Sequence, residues 1–378
     1  MKNELQIAKR ALGEGEDALD ASRQLFRDWV EPLADSFTAQ GVREYVDVFS
    51  AIVEQALPQF GAADLRTRYE RITQAKRFEG DAAAVRDVVV LSRVTLGADI
   101  AVTSVALDAA RKAFPQATIH LAGNRKNADL FAGDPRVRHL DLPYARSGAL
   151  RDRLAVSAAL SARIPEGALV IDPDSRLTQL GLIPVCEDTR YFFFESRSAS
   201  GTGTLGELTA EWCERTFGVR GKAWMAPERG ILPAPRVCVS FGTGGNESKG
   251  LGPEFEAGVV RHLVSLGLPV LIDKGMGGEE GERAERAIAG VVSVETWLGE
   301  FAPFAFEIAR APLYIGYDSS GQHAAAASGT PLICAFHGAP SERFFERWRP
   351  HGPGPATVVR DPDGALDAVC RAASGYGI

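Results

Sequence analysis

Asp87-Val88-Val89-Val90-Leu91-Ser92-Arg93-Val94-Thr95-Leu96-Gly97-Ala98-Asp99-Ile100 marks an abrupt change of texture in this chain, and its reading decides the fold. Val88 to Leu91 is a continuous apolar run, as expected of a strand buried on both faces. A small-residue turn follows, and then a helical pattern through Ala101, Val105 and Ala109 to Phe114. The alternation repeats downstream, with apolar runs at 118–122, 137–142 and 169–171 and helical patterns at 127–131 and 150–164. Doubly apolar strands separated by helices predict a parallel sheet covered by helices.

Outward toward the C-terminus, residues 218–236, with Pro227, Pro233 and Pro235, read as a linker. The same texture then restarts. A run at 237–241 ends in Gly242-Thr243-Gly244-Gly245, a helix is expected over 253–266, and strands are expected at 270–273, 291–294, 313–316, 332–336 and 357–359. The prediction is an α/β protein with two tandem Rossmann-like domains. Ligands of such sheets lie beyond the carboxyl ends of the strands, so facing domains would share a cleft. Outward toward the N-terminus the pattern is helical: Val42, Tyr45, Val46, Phe49, Ile52, Val53 and Leu57 recur at helical spacing, flanked by Leu25, Phe26, Trp29, Val30 and Leu33 before and by Leu65, Tyr69 and Ile72 after. We expect domains at 1–80 (all-helical, accessory), 81–220 and 236–378.

Composition narrows the function classes. The 378 residues suit two or three domains at roughly 100 to 200 residues each. Forty-two basic against forty-nine acidic side chains give a formal charge of -7, which argues against a nucleic-acid-binding protein. No apolar stretch approaches the ~20 residues of a membrane span, and the start lacks a signal-peptide core, so a cytoplasmic location is expected. The five cysteines (Cys186, Cys213, Cys238, Cys334, Cys370) form no CxxC pair and read as core filler.

Five segments carry candidate chemistry. Asp99, beside Gly97 at the start of a helix, reads either as a general base or as an N-terminal helix cap. Gly242-Thr243-Gly244-Gly245-Asn246-Glu247-Ser248-Lys249 offers backbone N–H groups and a point charge that suit a diphosphate. It lacks P-loop spacing and reads equally as a surface turn. In Tyr317-Asp318-Ser319-Ser320-Gly321-Gln322-His323, followed by four alanines, a strand end turns into a tightly packed helix whose first N–H groups suit phosphate. Asp172-Pro173-Asp174 and Asp361-Pro362-Asp363 follow strands and read as divalent-metal ligands or as ordinary turns, the turn being the stronger reading.

In this order the segments resemble the lipopolysaccharide heptosyltransferase family, glycosyltransferase family 9, whose members have the two-domain GT-B fold. The resemblance runs over residues 88–338. Gly97-Ala98-Asp99 looks like that family's Gly-Asp motif with one residue inserted, which implies Asp99 as catalytic base. Lys249-Gly250-Leu251-Gly252-Pro253 approaches its Lys-x-Trp-Pro with leucine for tryptophan, which implies that Lys249 contacts the leaving diphosphate. Asp318-Ser319-Ser320-Gly321-Gln322-His323 is similar to its Asp-Ser/Thr-Gly-x-x-His turn, with serine at the usual glycine. Glu279 or Glu280 falls near the ribose position. The resemblance implies a nucleotide-sugar site at Gly242, Thr243, Gly244, Gly245, Lys249, Glu280, Asp318, Ser319, Ser320, Gly321, Gln322 and His323 in the 236–378 domain. It assigns the acceptor to the 81–220 domain and implies inverting transfer of a sugar, with heptose a candidate, from a nucleoside-diphosphate sugar to a glycan or other hydroxyl. Neither metal nor cofactor is needed by that reading, and a place in lipopolysaccharide biosynthesis, peripheral to the inner membrane, comes with it. Two alternatives stay open: a non-catalytic sugar-nucleotide-binding module, and a metal-dependent transferase using Asp172 and Asp174.

Overall fold

The computed structural model describes residues 2–228 and 234–376, so Pro233 and its neighbours in the expected linker lie outside the described residues. The chain forms two compact units. The first comprises residues 1–128 and 135–222, and the second residues 129–134 and 223–378.

The first unit is built on a five-stranded sheet. Its strands are β1 (Asp87–Leu91), β2 (Thr118–Gly123), β3 (Val137–Asp141), β4 (Leu169–Asp172) and β5 (Tyr191–Phe193). Every pairing is parallel and the spatial order is β3-β2-β1-β4-β5. Central β1 shows no solvent exposure at Val88, Val89, Val90 or Leu91, which is why its run lacks polar alternation. Strand β5 and the helix Leu205–Phe217 had no periodic signal in the reading above. The strand is three aromatic residues long, and the helix announces itself by its N-terminal capping box, in which Thr204 and Glu207 exchange hydrogen bonds.

The N-terminal helices (Lys2–Ala11, Gly15–Leu25, Glu31–Asp35, Ala39–Ala56 and Ala62–Ile72) fall in the same compact unit as the first sheet, on the near side of the boundary expected at residue 80. Leu25, Tyr45, Phe49 and Ile52 belong to one continuous buried core with Val89, Leu91, Val170 and Leu182. Polar clamps reinforce the apolar seam: Tyr45 Oη donates to the Gln179 carbonyl at 3.1 Å, and Arg68 donates to Asp188 at 2.8 Å and to the Gly181 carbonyl at 2.8 Å. A helical pattern in sequence states that a face must be covered, not what covers it.

The second unit holds β6 (Val237–Ser240), β7 (Val270–Asp273), β8 (Val294–Trp297), β9 (Tyr314–Tyr317), β10 (Leu332–Ala335) and β11 (Ala356–Val359). All are parallel in the order β11-β10-β9-β6-β7-β8. Strand β8 starts three residues later than expected, because Gly290 (φ 73°) and Ser293 (φ 70°) turn the chain where a strand was placed. Counted from its own first strand, this is the 3-2-1-4-5-6 order of a Rossmann sheet, and the first unit follows 3-2-1-4-5. The strand order reverses beside β1 and β4 in one unit and beside β6 and β9 in the other, so the loops after those four strands are the expected ligand positions. No helix among the described residues is long and apolar enough to cross a membrane.

Candidate functional site

In the second unit the loops after β6 and β9 meet. The glycine turn after β6 places Gly244 (φ 63°) and Gly245 (φ 84°) in the left-handed region, exposed, ahead of a short 3-10 turn, Glu247–Lys249. That turn swings Lys249 across to the end of β9. Its ammonium bonds the Asp318 carboxylate at 2.8 Å and the Asp318 carbonyl at 2.9 Å, with about a fifth of the side chain exposed. Thr243 is buried and donates to Glu247 at 2.9 Å, which fixes the turn from within.

Ser319 precedes the alanine helix Ser320–Ser328 without a side-chain capping bond, and Ser319 and Ser320 are half-buried while Gly321, Gln322 and His323 are buried. Glycine at 321 has a packing reason: a Cβ there would overlap the Tyr314 hydroxyl beneath it. Gln322 donates to Asp318 and accepts from the Cys334 thiol, so Asp318 is held from both sides. Burial pushes the His323 imidazole down to about 4, partly opposed by Asp318, so the ring is neutral near pH 7 beside Trp348. His323 is enclosed at the start of this helix. Glu280 is exposed, with its carboxylate against the backbone at Gly242 and Gly275. Beside it an open hollow of about 470 Å³ is lined by Lys274, Gly277, Gly281 and Leu298. Asp273 lay outside the residues singled out from sequence. It ends β7, accepts from Ser240 Oγ at 3.1 Å and from the Gly275 N–H at 2.8 Å, and burial pushes it up to about 6.

In the first unit the expected base is placed otherwise. Asp99 has no solvent exposure. Its Oδ1 accepts from the Arg93 N–H and Thr103 Oγ1, each at 2.6 Å, and its Oδ2 accepts from Ser92 Oγ at 2.5 Å and Asn127 Nδ2 at 2.6 Å. Four donors leave no lone pair for an acceptor proton, so the geometry makes Asp99 a group that pins the loop after β1. The cause is local. Asp99–Thr103 is a π turn, with the Ser104 N–H reaching back to the Asp99 carbonyl. A π turn absorbs one extra residue in a helix. Asp99 opens that turn, with its carboxylate directed into the loop after β1.

Asp172 and Asp174 diverge as well. Asp172 is buried and accepts from the Ser175 N–H (2.6 Å), Thr178 Oγ1 (2.5 Å) and Tyr191 Oη (2.5 Å), and burial pushes it up to about 6. Asp174 accepts from Ser196 Oγ at 2.8 Å and pairs with Arg197 at 2.9 Å; burial alone would raise it, but Arg197 and Arg93 outweigh burial and lower it. Each carboxylate is committed to its own loop. Asp361 is exposed and bonds the Asp363 N–H at 2.9 Å in an ordinary turn. Among the described residues no group of three or more His, Cys, Asp or Glu side chains could hold a metal ion.

No family model matches the sequence, and no curated protein does. Solved structures do match the fold. A glycosyl transferase of family 9 from Veillonella parvula superposes with a TM-score of 0.61 at 17% identity, covering 80% of this chain and 99% of that one. The E. coli heptosyltransferase WaaC with ADP gives 0.57 at 17%, covering 77% and 99%. The E. coli ADP-heptose lps heptosyltransferase II gives 0.54 at 14%, covering 76% and 99%. The fold is therefore that of the two-domain GT-B glycosyltransferases, two parallel Rossmann-like sheets in tandem, with helices added at the N-terminus.

Proposed function

We propose that the chain transfers a sugar from a nucleoside-diphosphate sugar to a hydroxyl of a glycan or other acceptor, with inversion and without a metal. The observation that carries this is the Lys249–Asp318 pair where the two switch-point loops of the second unit meet, beside the start of the helix Ser320–Ser328. A lysine held at 2.8 Å by a carboxylate is placed and charged before any ligand arrives, and a helix start favours anions at the same spot. A diphosphate there would draw on the ammonium and the N–H groups of 320–322, which stabilise negative charge on the leaving group without a cation. The hollow beside Glu280 suits the nucleoside, and the GT-B likeness, with a heptosyltransferase among its members solved with ADP, makes adenosine diphosphate the first ligand to try.

Titration of the whole chain with ADP, UDP and GDP, followed by their sugar conjugates, tests the reading. Lys249→Ala is expected to weaken diphosphate binding by about 1 to 3 kcal/mol, the range for a charge-assisted hydrogen bond. Unchanged affinity would remove Lys249 from the site. Chelation by EDTA is expected to leave turnover intact, and loss restored by Mn²⁺ would overturn the metal-free mechanism. The burial of Asp99 favours a second reading, a module that binds sugar nucleotides without transferring them. Tight binding with no turnover of any donor, even to water, would select it.

A further inference from the structure

The turn that carries Lys249 is short and largely exposed. Glu247–Lys249 is a single 3-10 turn, the two glycines before it face solvent, and Gly252 (φ 92°) just after it lies in the left-handed region. Exposed loop backbone of this kind is held in one place only by what its side chains grip. Much of that grip comes from Arg283, on the helix Gly278–Ile288 that follows β7.

The Arg283 guanidinium is only 12% exposed and spans two carboxylates. One nitrogen donates to Glu247, the first residue of the turn, and another lies 3.4 Å from Glu256, on the helix Pro253–Ser265 that begins just past the turn. Glu256 accepts from Tyr317 Oη at 3.0 Å, and the same hydroxyl accepts from the Leu251 N–H at 3.0 Å. Tyr317 ends β9 and precedes Asp318, which bonds the Lys249 ammonium at 2.8 Å. The contacts therefore close into a ring that runs from Lys249 through Asp318, Tyr317, Glu256, Arg283 and Glu247 back along the turn to Lys249. The chain is gripped on both sides of the lysine, at Glu247 before it and at Leu251 after it.

The seat of the arginine is shaped for it. A Cβ at Gly250 would come within 2.8 Å of Arg283 Nη1, so a side chain there would displace the guanidinium. The buried Thr243 donates at 2.9 Å to the Glu247 oxygen that Arg283 does not use, so both oxygens of that carboxylate are directed. Glu280 lies three residues before Arg283 on the same helix, with its carboxylate against the backbone at Gly242. One helix thus touches the glycine loop near both of its ends.

We propose that Arg283 is a positioning residue of the diphosphate site, acting through Lys249 by fixing the turn that carries it. The inference rests on the reading of Lys249 as the diphosphate contact. A turn fixed in advance has given up its backbone freedom before the ligand arrives, which raises affinity without adding a contact. Without Arg283 that ordering falls to the ligand.

The test is calorimetric titration of the whole chain with ADP, in a double-mutant cycle of Arg283→Met and Lys249→Ala, with the unfolding midpoint of each variant measured beside it. Arg283→Met is expected to weaken ADP binding by about 3- to 30-fold, and by less than about twofold once residue 249 is alanine, as for residues of one ion-pair network. Stability does not discriminate, because each single variant leaves a nearly buried carboxylate without its cation and lowers the midpoint. Glu247→Ala supplies a second arm and decides the matter if Arg283→Met does not fold. Removing a negative charge beside an anion would by itself tighten ADP binding, whereas releasing the turn weakens it, and weakening that vanishes in the Lys249→Ala background is expected. An Arg283→Met variant that folds and binds ADP like the wild type would overturn the inference. So would a loss that persists in full without Lys249, which would make Arg283 a direct contact, or tighter binding by Glu247→Ala. If Lys249→Ala itself leaves ADP affinity unchanged, or the wild type binds none of ADP, UDP and GDP, the diphosphate reading falls and the inference with it.

Discussion

Asp99 and Asp318 occupy comparable places, each in a switch-point loop of its own sheet, and their surroundings differ in kind. Asp99 is saturated by four neutral donors that belong to its own loop and to Asn127. Asp318 is held by Gln322 on one side and by the partly exposed ammonium of Lys249 on the other. Neutral donors turned inward fix a backbone. A lysine at the rim can trade its carboxylate for a phosphate at modest cost, because both partners are anions. The first carboxylate is therefore enclosed by neutral donors, and the second is shared between a neutral donor and a charged one.

The largest effect expected to sharpen this contrast is on stability. Asp99→Ala would strand four buried donors, and at about 1 to 3 kcal/mol for each group left unsatisfied the loss should reach at least about 3 kcal/mol even if water refills part of the space. Urea denaturation checks it, and a loss below 1 kcal/mol would break the claim that Asp99 holds the loop. Next comes Gly321→Ala, whose Cβ would overlap the Tyr314 hydroxyl. Overpacking should cost about 1 to 3 kcal/mol and weaken ADP binding together with stability. Lys249→Ala should weaken ADP binding and also lower the unfolding midpoint, because it leaves the nearly buried Asp318 carboxylate without its cation; lost stability with unchanged ADP affinity would make Lys249 structural.

The last contrast is in pH dependence, where the two units should move in opposite directions. Asp172 has its folded-state pKa raised to about 6, so its contribution to stability is fully present in acid and is lost as pH rises from the unfolded value through 6. His323, lowered to about 4, contributes stability above its unfolded value that is lost as pH falls toward 4. Asp172→Asn should therefore remove a decline in stability between roughly pH 4 and 6, and His323→Gln should remove a rise over an overlapping window. Denaturation curves at several pH values separate the two, and matching slopes in both variants would contradict the assignment.

The parallel sheets were legible because Val88-Val89-Val90-Leu91 and Val237-Cys238-Val239 are apolar without alternation, a pattern that full burial on both faces imposes. The Lys249 and Asp318 loops were legible as individual turns, since glycine and small residues mark them, though their pairing depends on tertiary geometry. The orientation of Asp99 was not legible. Its inward turn depends on Ser92, Thr103 and Asn127 converging from two loops and a π turn, and no local spacing encodes that convergence.

The two π turns at Phe26–Val30 and Asp99–Thr103 make the chain unusually editable. Each extra residue in a helix rotates everything beyond it by about 100° and advances it by about 1.5 Å. Deleting Ala98 would therefore convert the second π turn into ordinary helix and swing Asp99 by about a quarter turn, away from its four donors. A single-residue indel, ordinarily ruinous inside a helix, would here decide which way Asp99 faces, so its orientation is encoded in segment length as much as in residue identity.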